Sequence, residues 1–120
     1  MAPPGPRLPI LWTDRAKADL TAIGDYIAAD SPVAAARWVR RLVAAVERLA
    51  EFPWSGRRVP ELQGRKDLRE VVQGAYRIVY RVKRDAVVVL TVFEGHRRFP
   101  DELSEDEGGP RTDPDKERGP

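Results

Sequence analysis

The chain has no cysteine and a single histidine among its 120 residues. The absence of cysteine excludes disulfides, thiol nucleophiles and thiolate-bound metal. With one histidine, a transition-metal site would depend on carboxylates, and no such spacing is present, so neither metal nor cofactor is expected. No run of 18 or more apolar residues occurs, so no membrane span is expected. A signal-peptide hydrophobic region is also missing from the N-terminus, and the expected location is the cytoplasm. There is no P-loop or dinucleotide-binding glycine motif, and no internal repeat.

What the chain does have is charge, unevenly divided. Residues 1–100 carry 18 Lys+Arg and 11 Asp+Glu, a balance of +7, whereas residues 101–120 carry 3 and 8, a balance of −5; together these make the net +2. A basic domain with an acidic tail suggests nucleic acid or an acidic protein as partner. Both ends are poor in apolar residues. Residues 1–7 are rich in proline, and from residue 100 onward Leu103 is the only aliphatic or aromatic side chain. Such segments bury too little surface to offset their ordering entropy. Residues 1–7 and the acidic segment 100–120 are therefore expected to be disordered, with one folded domain over residues 8–99.

Within that domain the pattern changes from helical to strand-like. Leu8 to Trp12 reads as a short edge strand, since Pro9 cannot join a central ladder. Thr13 or Asp14 can cap a helix whose apolar positions Ala16, Leu20, Ile23 and Ile27 recur at helical spacing through about Ala29. Ser31-Pro32 restarts a second helix, which runs to about Glu51 with Trp38, Leu42, Ala45 and Leu49 on one stripe. Phe52-Pro53 ends it. Trp54 to Lys66 reads as a loop. Three strands follow, Leu68 to Gln73, Tyr76 to Lys83 and Ala86 to Glu94, separated by turns at Gly74-Ala75 and Arg84-Asp85. The last strand is almost wholly β-branched or aromatic, as a strand buried on both faces should be. The expected fold is α+β, order βααβββ: a helical hairpin packed on a small antiparallel sheet, the first strand added at one side.

Arginines recur through the second half. In the strand from Tyr76, alternation places Arg77 and Arg81 on one face, roughly 13 Å apart. Alone, either reads as a solvated residue or as half of an ion pair such as Arg77 with Glu70. With Arg57 and Arg58 in the loop, Arg69 on the first meander strand, and Arg97 and Arg98 after the third, they form a set that can grip phosphate or a carboxylate-rich partner. His96 is of a residue type suited to proton transfer, although a lone histidine after a strand more often caps or packs.

The string Trp12-x-x-x-Ala16-x-x-Asp19-Leu20-x-x-Ile23-x-x-Tyr26-Ile27, Ser31-Pro32-x-Ala34-Ala35, Leu49-x-x-Phe52-Pro53-x-x-Gly56-Arg57, Arg69-Glu70, Tyr76-Arg77-Ile78-x-Tyr80-Arg81 and His96-x-Arg98 resembles the RelE/ParE superfamily of toxins from type II toxin–antitoxin modules, closest to the ParE branch. The resemblance spans about residues 10–98. It implies the βααβββ fold, a cognate antitoxin as partner, and contact with promoter DNA only through that antitoxin. Two activities divide the superfamily. ParE-like members inhibit DNA gyrase, a binding act without catalytic groups. RelE-like members enter the ribosome and cut mRNA; under that alternative Arg57, Arg69, Arg77, Arg81 and Arg98 would hold the phosphate and His96 would move a proton. The ribonuclease branch often uses a C-terminal tyrosine, and this chain has Phe99 instead. In the ParE-like reading, Arg58, Arg69, Arg77, Arg81, Arg97 and Arg98 form a partner-binding basic face. A third alternative is a non-toxic relative that only binds its antitoxin.

Overall fold

A computed structural model describes residues 7–101 and Leu103. The elements are β1 (Ile10–Trp12), α1 (Asp14–Ala28), α2 (Pro32–Glu47), β2 (Arg57–Arg58), β3 (Leu68–Gln73), β4 (Tyr76–Val82) and β5 (Val87–Glu94), with single 3-10 turns at Arg48–Ala50 and Pro60–Leu62. The strands form one five-stranded sheet in the order β1-β5-β4-β3-β2. This is the expected βααβββ order with one short strand inserted. The sheet is mixed, because β1 pairs in parallel with β5 while the other neighbours are antiparallel. β1 starts only after Pro9, and Leu8 turns away to donate its N–H to Ala50 O at 3.0 Å.

Both helices begin where the sequence supplies a cap. Thr13 Oγ1 accepts the Ala16 N–H at 3.1 Å, and Ser31 Oγ accepts that of Ala34 at the same distance, with Pro32 as first helical residue. The hairpin buries Ala16, Leu42, Ala45 and Val46 against Ile78, Val89 and Val92 of the sheet. Leu49, Tyr80, Val82 and Val87 extend this core toward the end of α2. β5 runs on past the short β1, and α1 covers the edge left open. Asp19 accepts the Val92 N–H at 3.0 Å and the Thr91 hydroxyl, so the unpaired edge amide is satisfied by a helix side chain.

Neither α1 nor α2 covers the opposite face of the sheet. A second, smaller core lies there: Val59, Leu62, Leu68, Val79 and Phe93, closed by Leu103 with Phe99 beside it. The chain just beyond Pro100 is thus part of the packing, since Leu103 is buried and its N–H reaches Pro100 O at 3.2 Å. The expectation of a disordered tail otherwise falls on residues 102 and 104–120, and that of a disordered start mainly on residues 1–6, all outside the described residues.

Candidate functional site

Alternation along the strands sorts the arginines onto two faces. β3 pairs Glu70 with Val79 of β4 and Arg57 of β2, so Arg57, Glu70, Arg77, Val79 and Arg81 share the open face. Arg69 pairs with Tyr80 and Arg58, which places Arg58 and Arg69 on the helix-covered face. Arg97 and Arg98 lie beyond β5, exposed, with Arg98 3.7 Å from Asp101. The strand and loop arginines singled out from sequence therefore do not converge on one point.

On the open face they are met by carboxylates. Glu70, fully buried, accepts from Arg57 Nε at 2.6 Å and from Arg77 Nε at 2.8 Å. The Arg77 guanidinium also makes a two-pronged contact to Glu61, Nη1 to Oε2 at 2.9 Å and Nη2 to Oε1 at 2.7 Å. Phe93 and Phe99 pack against it, with ring centroids 5.1 and 5.5 Å from its central carbon. Hydrogen bonding by Arg77 holds the Glu61 carboxyl below the usual carboxylate range, and the Glu61 contact in turn raises the Arg77 pKa. Further along, Asp67 takes two bonds from Arg65, at 3.0 and 2.9 Å, and lies 3.4 Å from Arg81 Nε. These bonds lower the Asp67 pKa, Arg65 contributing most. Arg57, Arg65, Arg77 and Arg81 thus each have a carboxylate beside them.

A cleft of about 410 Å³ opens beside this network, with Arg57, Glu61, Arg77 and His96 among its lining residues. His96 is exposed. A larger groove of about 730 Å³ runs between α1 and the uncovered end of β5, and Arg15, Asp19, Tyr26, Tyr76, Arg97 and Arg98 are among those that line it. Burial raises the Tyr76 hydroxyl pKa at its wall. Among the described residues no three histidine or acidic side chains gather as a metal cage.

On the other face, Tyr80 is fully buried and its hydroxyl spans a gap in the loop, donating to Pro53 O at 2.8 Å and accepting from Gly56 N at 3.0 Å. Burial raises its pKa and keeps it protonated. Gly56 is required at that point, because a Cβ there would collide with the Tyr80 hydroxyl and the Glu70 carbonyl. Arg69 donates to Gly56 O at 3.1 Å and to Lys66 O at 3.2 Å, and lies over the Trp54 ring at 4.9 Å. The sequence pattern alone does not single out Trp54. The signal for it was Phe52-Pro53-Trp54, two large aromatics around a proline in a stretch otherwise read as loop.

A family model described as the ParE toxin of type II toxin–antitoxin system, parDE, matches residues 10–99. The chain is 47% identical over 97 residues to "Putative toxin Y4kP" of Sinorhizobium fredii, covering 78% of this chain and 95% of that one. It is 56% identical over 48 residues to "Toxin RelE2" of Caulobacter vibrioides, covering 40% and 54% respectively. Among solved structures, the chromosomal ParDE TA system from P. aeruginosa matches with a TM-score of 0.61 at 25% sequence identity, over 75% of this chain and 98% of that chain.

Proposed function

The chain belongs to the ParE toxin family of type II toxin–antitoxin systems, and from that membership we propose that it stops growth by binding DNA gyrase and is neutralised by a cognate antitoxin. A toxin of this type is one half of a protein pair, so the antitoxin follows from the family; the gyrase target is the finer step. The observation that carries it is the pairing of the open-face arginines. Arg57 and Arg77 are held by Glu70 and Glu61, and Arg65 and Arg81 face Asp67. A scissile phosphate in this cleft would have to displace Glu61 or the buried Glu70, and leaving the Glu70 charge unpaired costs several kcal/mol. The position of the expected acid–base tyrosine holds Phe99, which packs on Phe93 and Arg77. Inhibition by binding needs neither a phosphate cradle nor a proton donor, and the arginine network then serves to hold the fold in shape.

The second reading, a ribosome-dependent mRNA endonuclease, is favoured by two observations. One is the similarity to a protein named Toxin RelE2. The other is the cleft that has His96, Arg57 and Arg77 in its lining. Pulse labelling after induction of this chain alone separates the two. The proposal expects DNA synthesis to stop first, with an SOS response. Protein synthesis stopping first, with cut messages, would replace it by the endonuclease reading.

A further inference from the structure

Phe52 to Ser55 form a turn closed by the Ser55 N–H on Phe52 O at 3.1 Å, with Pro53 in the second position that proline favours. The Ser55 hydroxyl donates to the same carbonyl at 2.8 Å. Beneath, the buried Tyr80 hydroxyl ties Pro53 to Gly56. Outside, Arg69 is anchored on Gly56 O and Lys66 O while it stacks on Trp54. The turn is therefore pinned from both sides. What it displays is apolar: Phe52 is 60% and Trp54 53% exposed. Aromatic area held out on a rigid support is preorganised for contact, and Trp and Arg are the residues that dominate binding energy in protein interfaces.

The surrounding charge is mostly of one sign. Arg48, whose carbonyl accepts the Phe52 N–H, is exposed, as are Arg58 and Lys66, while the nearby Glu51 is answered by Arg7 at 3.1 Å. Arg58 and Arg69 stand directly opposite each other across β2 and β3. Like charges so placed repel, and an anion between them would relieve the repulsion.

We propose that this turn, with Arg58 and Arg69, is the surface that docks on the toxin's target, and that it takes an acidic protein segment carrying an apolar side chain. A protein fits better than a nucleic acid strand. Arg69 already covers one face of Trp54 and spends two donors on carbonyls, whereas strand binding wants open ring faces in succession along a cationic groove. The proposal rests on the toxin reading above, but not on gyrase being the target.

The test induces wild type, Phe52→Ser, Trp54→Ser and Arg58→Glu in bacteria without antitoxin. Cognate-antitoxin affinity and the urea midpoint are measured on each purified protein, and a labelled single-stranded oligonucleotide is titrated into each. Expected is a tenfold or greater loss of growth inhibition in Trp54→Ser and Arg58→Glu, with antitoxin affinity and midpoint unchanged. Four outcomes overturn the proposal. Trp54→Ser and Arg58→Glu could remain as toxic as wild type, or lose antitoxin affinity while staying toxic, which would seat the antitoxin there. Wild type could bind the oligonucleotide with quenching of Trp54 fluorescence, or fail to inhibit growth at all. Should the variants lose toxicity while wild type leaves purified gyrase unaffected, the gyrase reading fails and the docking surface stands.

Discussion

Arg69 and Arg77 sit on neighbouring strands of one sheet, on opposite faces, with opposite surroundings. Arg77 packs against two phenylalanine rings and donates to two carboxylates, one of them fully buried. Among the described residues, Arg69 donates to carbonyls and stacks on an exposed indole. The open face, which neither α1 nor α2 covers, closes its small core with an ionic network that ties the Pro60–Leu62 turn to β3 and β4. The other face has an apolar core for that purpose, and at its rim arginine supports a displayed surface. Residue type alone does not separate a structural arginine from a contact arginine; the nearest carboxylate does.

Removing the shared anion should have the largest effect. Glu70→Ala leaves Arg57 and Arg77 without their common partner, Arg77 almost buried. It should cost about 3–5 kcal/mol, as loss of one member of a buried ionic set does, read as a fall in the urea midpoint. A Glu70→Ala protein as stable as wild type would mean that the network is decorative. Next comes the covered face. Tyr80→Phe strands the Pro53 carbonyl and the Gly56 N–H and should cost about 1–3 kcal/mol, with faster amide exchange confined to residues 53–56. Exchange that rises equally on β3 and β4 would show the hydroxyl to be a global rather than a local tie.

The acid limb gives a smaller effect. Glu61 has its folded-state pKa depressed by Arg77 below the ordinary 4.5. Its contribution is therefore complete above that value and is lost as pH falls through the folded one. Melting temperature followed downward from pH 5 should drop more steeply in wild type than in Glu61→Gln; parallel curves would remove Glu61 from the network. The smallest effect belongs to the displayed turn. Trp54→Ser should change stability by no more than about 0.5 kcal/mol, and a larger loss in thermal unfolding would place Trp54 in the packing.

Much of the architecture could be read in advance because its signals are local. Ser31-Pro32 and Thr13 announce the helix starts, and the Val87–Glu94 run announces a strand buried on both faces. The parallel pairing of β1 could not be read that way, since orientation is decided by where the helical hairpin returns the chain. β2 escaped because two residues carry no period. The helix expected to reach Glu51 tightens instead into a 3-10 turn at Arg48–Ala50. In the site, the arginine positions and the Arg77–Glu70 pairing were legible from strand register. The Glu61 contact was not, because it joins a strand to a 3-10 turn 16 residues earlier and leaves no spacing rule. Leu103 was the lone apolar residue of an acidic stretch, and that isolation marks a side chain with somewhere to pack.

On the gyrase reading this toxin acts by binding, and its open-face arginines serve the fold. The most direct test of that reading is gyrase supercoiling titrated with purified wild type and with His96→Ala, each with and without the cognate antitoxin. Equal inhibition by both proteins, reversed by the antitoxin, is expected. Normal supercoiling with either protein, accompanied by mRNA cleavage on ribosomes that His96→Ala abolishes, would contradict it.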